Sequence, residues 1–441
     1  SHTGPASVLR PGQREEVRLS VRTPLLASST SQILDRLPFE VFSFGSPGDH
    51  GLGERIDWED MRQSMATGDP LVASWEPVFD RFVAQVGSTW GDYLDMLRSN
   101  ADGLAEVGHR VPDVDELLGF EFIQAAALGT PVYLETAQDA HVPAPGLPLS
   151  FERSYLPGPS YRHRIGSLGY GWSHNYDVTL RQRDDGVIVV NCTDSLDHVF
   201  TPNGQGGYTN GLSTLEPVET GGSTEYLLAR EDGVAIRFNA NGRFAYIEDA
   251  NGNRVTAAYN ALGQLETLTH SGGDRFEFTY DANGRLVTLT DHVDRVTAFG
   301  YDASGEHLTS VTTPAGLTTS YDYITGEDSL RDHLLTRIAS PDSPATHYEY
   351  DSLGRLASQH IGTGLEPVNF AYSDAARTTI TDALGNASTT WLDSRGRTVL
   401  AENPLGHRTE FLYDGDSNLT EIIGPTGLST RFDYDDHGNL I

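Results

Sequence analysis

Two periodicities divide the chain. Between about residues 55 and 128 apolar positions recur at helical spacing: Trp75, Phe79, Phe82, Val83 and Val86 share one face, and Trp90, Tyr93, Leu94 and Leu97 share another. N-cap signals stand at Asp57, with Asp60 three residues on, at Ser74, at Ser88, and at Asp113, with Glu116 three residues on. The pattern predicts amphipathic helices whose aromatic stripes are core faces. Because those stripes exceed what the helices can cover among themselves, they are expected to bury Trp75, Phe79, Phe82 and Trp90 against β structure or a neighbouring chain. Upstream, the alternating run Glu16 to Arg22 after Pro11-Gly12 predicts one strand. After Gly129-Thr130-Pro131 the helical period stops. Val132 to Thr136 and Leu149 to Tyr155 then read as strands, and Gly166, Gly169 and Gly171 form a glycine-rich turn entering a strand over His174 to Leu180.

From Phe238 a longer period appears. Aromatic-Asn/Asp pairs stand at Phe238-Asn239, Tyr259-Asn260, Tyr280-Asp281 and Tyr301-Asp302, each 21 residues after the last. The register resumes at Tyr350-Asp351 and returns at Leu392-Asp393, Tyr413-Asp414 and Tyr434-Asp435, which requires a seven-residue insertion, assigned to the polar stretch Thr325 to Arg331. Each period carries two turn signals, such as Asp281-Ala282-Asn283-Gly284 and Asp249-Ala250-Asn251-Gly252, so one repeat is two antiparallel strands. Glycine at Gly284 and Gly354 is expected to supply positive φ, and Asp to bond backbone N–H groups two residues on. Aromatics two residues before the tyrosine (Phe278, Phe299, Tyr348, Phe411, Phe432) share its sheet face, which predicts an aromatic ladder with neighbouring copies in contact. A Tyr-Asp pair recurring in this way reads as a structural device rather than a catalytic dyad.

Composition changes the picture in three ways. At 441 residues the chain exceeds one core, and two to four folding units are expected. All 30 basic residues are arginine against 62 acidic ones, and the net charge of −32 argues against nucleic acid or an anionic membrane surface as the main partner. The single cysteine, Cys192, excludes an intrachain disulfide and a multi-thiolate zinc site, and no apolar run is long enough to span a membrane. Ser1 opens no basic or apolar leader, so the chain reads as an internal piece of a longer polypeptide.

The unit Tyr-Asp-x-x-Gly-Arg-Leu, intact at Tyr280 to Leu286 and present at Tyr350 to Leu356, resembles the YD repeat of Rhs proteins, bacterial toxin-complex shells and teneurins. Asp249 to Asn253 and Asp382 to Asn386 match its second half. Gly146 to Tyr155, followed by Gly169-Tyr170-Gly171-Trp172-Ser173-His174-Asn175-Tyr176, is similar to the lead-in domain before such repeats. The resemblance implies a mainly β fold, a YD-repeat hairpin ribbon curling into a spiral shell or open barrel after a short helical segment. It also implies a secreted or surface-exposed bacterial protein that encloses or presents a C-terminal toxin cargo, with an adhesion or fibre-forming protein as the alternative. Expected partners are the rest of the polypeptide or a cargo domain, and otherwise copies of itself or cell-surface molecules, with no cofactor. The repeat residues are Tyr259, Tyr280, Asp281, Gly284, Arg285, Tyr301, Asp302, Tyr350, Asp351, Gly354, Tyr413, Asp414, Tyr434 and Asp435. Segments are placed at 1–28 (a strand), 29–128 (loop and helices), 129–235 (lead-in) and 236–441 (repeats). No Asp-Pro-x-Gly core, at which relatives cleave themselves, is found in the repeats.

Other chemistry is weak. Asp414-Gly415-Asp416-Ser417-Asn418 opens like a calcium loop, but Leu419 replaces its glycine and Pro425 its last carboxylate, so a decorated turn is expected. His174, Asp177, Asp194, Ser195 and His198 lack a nucleophile elbow. Tyr161-Arg162-His163-Arg164 is a basic island expected to pair with surrounding carboxylates.

Overall fold

The computed structural model describes residues 51–65, 75–127, 133–144, 146–183, 186–191, 198–210, 213–230, 233–373, 377–415, 417–434 and 440–441. The strand expected at 16–22, and Ser74, Cys192, Asp194, Ser195, Asp416 and Asp435, lie outside the described residues, as does the side chain of Trp75.

Among the described residues four helices precede the strands: α1 (Trp58–Met65), α2 (Trp75–Val86), α3 (Trp90–Glu106) and α4 (Val114–Ala126). Their stripes form one core in which Phe79, Phe82 and Tyr93 are fully buried and Trp90 nearly so, with Phe82 against Phe122 at 5.5 Å between ring centroids. Asp113 caps α4, but α3 is capped by Thr89 rather than Ser88. Thr89 accepts from the Asp92 N–H and the Asp92 carboxylate accepts from the Thr89 N–H, a capping box one residue later than expected because only Thr89 has its carboxylate partner three residues on.

The lead-in chain forms a three-stranded antiparallel sheet, β1 (Glu135–Val142), β2 (Leu149–Tyr155) and β5 (Trp172–His174), with a small hairpin, β3 (Ile165–Gly166) and β4 (Gly169–Tyr170), and the short helix α5 (Pro159–Arg162) between β2 and β5. From β6 (Thr179–Gln182) to the strand Ser429–Arg431, twenty-five strands then make one antiparallel sheet paired in chain order. The sheet therefore crosses the 235/236 boundary without a break. It curls until its first strand meets the turn at 239–243: Thr179 bridges Arg243, and the Leu180 N–H donates to the Gly242 carbonyl at 2.6 Å. That bridge makes the closure, since no ladder among the described residues joins the last strand to the first. A twisted sheet of this many strands does not stay flat, and its curl gives the inner apolar face something to enclose. What it encloses is the three-stranded sheet, whose Phe151, Tyr155 and Trp172 share a core with Phe278, Phe299 and Tyr321.

The seven extra residues between Tyr301 and Tyr350 are split. Tyr323 fills the missing repeat position, one residue of the insertion enlarges the turn 302–307, and six enlarge the loop 324–334. Ile324, not Asp, follows Tyr323, which hid that copy.

Candidate functional site

The repeats that carry the tyrosine place it at a fixed structural defect. The ladder between strands Leu265–His270 and Arg275–Tyr280 ends at Thr267–Glu277, leaving the Leu265 carbonyl without a strand partner on that side. The Tyr280 hydroxyl donates to it at 2.8 Å. The same clasp joins Tyr259 to Phe244 (2.6 Å), Tyr301 to Leu286 (2.8 Å), Tyr323 to Leu308 (2.7 Å), Tyr350 to Leu335 (2.5 Å), Tyr413 to Thr398 (2.9 Å) and Tyr434 to Leu419 (2.9 Å). On its other side the tyrosine pairs across a β-bulge with the leucine that opens the next strand, as Tyr280 does with Leu286. One residue thus ties three strands, by its hydroxyl on one side and its backbone pairing on the other, and an unpaired carbonyl at the sheet edge is satisfied.

Phe278 and Tyr280 do lie on the same inward face, but neighbouring copies do not touch. Copies are two strands, roughly 9.5 Å, apart, and a leucine of the intervening strand fills the gap, so the ladder alternates Tyr259, Leu265, Tyr280, Leu286, Tyr301 and Leu308. Phe278 packs instead on Phe151 of the enclosed sheet, 5.1 Å between centroids.

The aspartate builds the adjoining turn. Asp281 Oδ1 accepts from the N–H groups of Asn283 (2.9 Å) and Arg285 (2.8 Å), while Gly284 sits at φ +79°. Asp351 repeats this with Leu353 and Arg355, its Oδ2 accepting from Arg355 Nε at 2.7 Å, and Gly354 takes φ +70°. In the Asp302 turn the carboxylate holds His307, and its hydrogen bonds draw its pKa down to about 2 against the opposing effect of burial. Asp414 accepts from Asn418, and Ser417 occupies the glycine position at φ +72°. Arginines of these turns lace the edge: Arg285 donates to the carbonyls of Gly305 in the next repeat turn and Gly166 in the lead-in hairpin, both at 2.7 Å, and Arg395 donates to Gly415 at 3.0 Å. Burial pushes the tyrosines above their ordinary value, Tyr259 to about 12, so these hydroxyls stay protonated donors.

A polar seam, absent from the repeat pattern, joins the enclosed sheet to the loop 324–334. Arg153, 2% exposed, donates to Asp139 (Nε to Oδ2, 2.8 Å) and to the Tyr321 hydroxyl (2.8 Å). Trp172 Nε1 donates to the Tyr323 hydroxyl at 2.7 Å, and the Tyr155 hydroxyl donates to the His333 carbonyl at 2.6 Å. Arg162, fully buried, gives its guanidinium to the carbonyls of Pro157, Ser329, Leu330 and Asp332. Arg162 and His163 of the basic island therefore find backbone carbonyls, not the carboxylates expected, and the Arg164 guanidinium lies over the Tyr161 ring at 5.4 Å. His307 Nε2 lies 2.9 Å from His333 Nδ1, Tyr170 stacks on His333 at 3.8 Å, and His163 Nε2 reaches the Ser329 carbonyl at 2.9 Å. The helices continue this cover along the tyrosine-turn edge: Ser329 bonds Asp80 of α2, Ser394 bonds Glu116 of α4, and Leu392 packs on the helical core.

Three family models match this architecture in order. A domain of unknown function (DUF6531) matches residues 127–200, the teneurin YD-shell matches 228–361, and the RHS repeat matches 413–441. The chain is an Rhs/YD-repeat protein. Among curated relatives, a probable deoxyribonuclease RhsB of Dickeya dadantii (strain 3937) is 34% identical over 109 residues, which is 24% of this chain and 8% of that protein. Among solved structures, a Photorhabdus luminescens Tc holotoxin pore with a TccC3 mutation aligns at 12% identity and a TM-score of 0.32, covering 83% of this chain and 25% of that one. A TcdB2-TccC3 structure aligns at 12% identity and 0.32, covering 69% and 23%. The Rhs chain thus spans about a quarter or less of the proteins it matches.

The remaining candidates are engaged in structure. His174 Nε2 pairs with Asp177 Oδ1 at 2.9 Å beneath Phe151, and burial draws the pKa of His198 down to about 4. No cluster of metal-binding residue types is found among the described residues, and no described helix is long and apolar enough to cross a membrane.

Proposed function

We propose that this chain is a wall and cap segment of a large secreted or surface-exposed bacterial Rhs/YD-repeat protein, whose shell encloses or presents a C-terminal toxin cargo and which is itself without catalytic activity. In this reading residues 236–441 are the repeat wall, 129–235 the lead-in, whose three-stranded sheet fills the wall and whose strands from β6 onward continue it, and the helices before 128 the cap. Tyr259, Tyr280, Tyr301, Tyr350, Tyr413 and Tyr434, with Asp281, Asp302, Asp351 and Asp414, Gly284, Gly354 and Arg285, hold the wall together. The observation that carries the reading is a continuous ribbon whose inward face is apolar and whose tyrosine-turn edge is covered in succession by β6, the β3–β4 hairpin, α5 and the helices. Such an arrangement separates an inside from an outside.

The test is protease protection in the whole polypeptide from which the segment comes. Its C-terminal domain should resist digestion in the intact protein and become labile when the wall is unfolded by mild denaturant. Equal digestion rates for the enclosed and the isolated domain would sink the proposal. Incubated with duplex DNA and Mg²⁺, the 441-residue chain should leave the DNA intact; cleavage would overturn the non-catalytic reading of this segment. The fibre-forming alternative draws support from Leu384, Leu405 and Leu428, each about four-fifths exposed on the other edge (82%, 78% and 78%), and concentration-dependent light scattering of the chain would favour it.

A further inference from the structure

Among the described residues, Arg81 is a buried cation with no counter-ion. Arg81 of α2 is 4% exposed, its Nε has no hydrogen-bond partner, and no ion pair reaches it among the described residues. A buried guanidinium whose Nε lacks an acceptor is costly, because the hydration of that N–H is lost and no protein group replaces it. The neighbouring carboxylates are already committed. On its own helix, Asp80 is engaged by Arg62 and Ser329, and Glu76 by Arg62. In the facing repeat turn both oxygens of Asp351 serve that turn, Oδ1 accepting from two backbone N–H groups and Oδ2 from Arg355.

The other charged groups around Arg81 share its sign. Burial, and after it Arg162 and Arg355, draw the Arg81 pKa down to about 9, against the weaker influence of Asp351. Arg162 comes from α5, where four carbonyls hold it, and Arg355 from the Asp351 turn, with its guanidinium over the Tyr372 ring at 4.6 Å. The Gly354 turn lies directly against Arg162, since a Cβ there would stand 3.5 Å from its Nη2. Three arginines from three separate elements thus converge where the cap, the lead-in and the repeats meet, with one carboxylate already spent.

We propose that this junction is a binding site for a small oxyanion of the carboxylate or phosphate class, with Arg81 as its hydrogen-bonding residue and Arg162 and Arg355 supplying the field that favours negative charge. The planar guanidinium fork suits two oxygens of one such anion. Bound there, the anion ties α2 to the loop 324–334 and to the Asp351 turn, so closure of the cap depends on it. Nothing in this inference requires the shell reading to be correct.

The experiment uses the full chain, exchanged into phosphate-free buffer and titrated at constant ionic strength with inorganic phosphate in one arm and acetate in the other, followed by calorimetry and thermal melting. The expected result is saturable one-site binding of at least one anion, together with a rise in Tm. Phosphate alone acting, or both acting, distinguishes the two classes. Arg81→Met should weaken that binding at least about tenfold, the loss of a charge-assisted hydrogen bond. In anion-free buffer the same variant should melt at or above the parent, because an unpaired charge is gone. Arg98→Gln, at an exposed position on α3, should bind as the parent does. No saturable heat with either anion in the parent chain overturns the proposal whether or not the variants fold. So does an Arg81→Met protein that binds normally, or one that melts lower without anion, which would reveal an internal partner for Arg81.

Discussion

Removing the tyrosine hydroxyl isolates the clasp from the packing of the ring. In Tyr280→Phe one neutral hydrogen bond to the Leu265 carbonyl is lost, and its net worth is about 1 kcal/mol. Tyr323→Phe removes more. Its hydroxyl donates to the Leu308 carbonyl at 2.7 Å and also accepts from Trp172 Nε1 at 2.7 Å, so deletion orphans a buried indole N–H as well as a carbonyl. Leaving a buried donor unsatisfied adds roughly 1–3 kcal/mol, which brings the expected loss to about 3 kcal/mol. The two substitutions are chemically identical and sit at equivalent repeat positions, so their difference reports the second bond. Guanidinium denaturation read by tryptophan fluorescence gives the ranking, and hydrogen exchange over residues 301–339 shows whether the loss is local. A Tyr323→Phe protein no less stable than Tyr280→Phe would refute the argument, and two variants indistinguishable from the parent would remove the clasp as a source of stability.

Glycines at one turn position should separate into two classes. Gly385→Ala (φ +83°, open space around the added Cβ) should cost about 1 kcal/mol from backbone strain alone, and Gly284→Ala about the same once the flexible Gln264 amide, 3.2 Å from the added Cβ, gives way, whereas Gly354→Ala, whose Cβ meets the Leu330 carbonyl, should cost clearly more; equal denaturation midpoints would contradict this. Burial, reinforced by Arg162 and His333, draws the His163 pKa down to about 4, so the folded state prefers it neutral; that stability is full above about pH 6.5 and is lost as pH falls toward 4, and His163→Gln should flatten this limb of a stability–pH profile. Phe79 is fully buried in the helical core, so Phe79→Asp should release the helices and expose sites between 51 and 127 to limited proteolysis while the ribbon stays resistant; simultaneous digestion of both would show that cap and wall unfold together.

The parts of this fold that were legible in the sequence are those a local rule repeats. Tyr280-Asp281 and Gly284 recur because every repeat needs the same positive-φ turn and the same inward side chain, and a period of 21 follows from two strands and two turns. The target of the tyrosine hydroxyl was not legible. It is a main-chain carbonyl fifteen residues upstream, and carbonyls carry no sequence signature; only the end of the Thr267–Glu277 ladder exposes it. The same limit explains Tyr323. Its hydroxyl makes the clasp without an aspartate behind it, because the enlarged loop 324–334 replaces the Asx turn with contacts to Arg162 and Tyr155, residues some 170 positions away in the chain. Arg162 was misassigned for a related reason: a net charge of −32 makes carboxylates the obvious partners, yet a guanidinium inside the protein takes whichever acceptors the backbone leaves unpaired, and the loop offers three carbonyls at once. The error in the aromatic ladder was one of distance. Parity fixes the face, so Phe278 and Tyr280 share one side, but the period counts repeats while contact counts strands, and each repeat inserts a strand whose leucine takes the space between one tyrosine and the next.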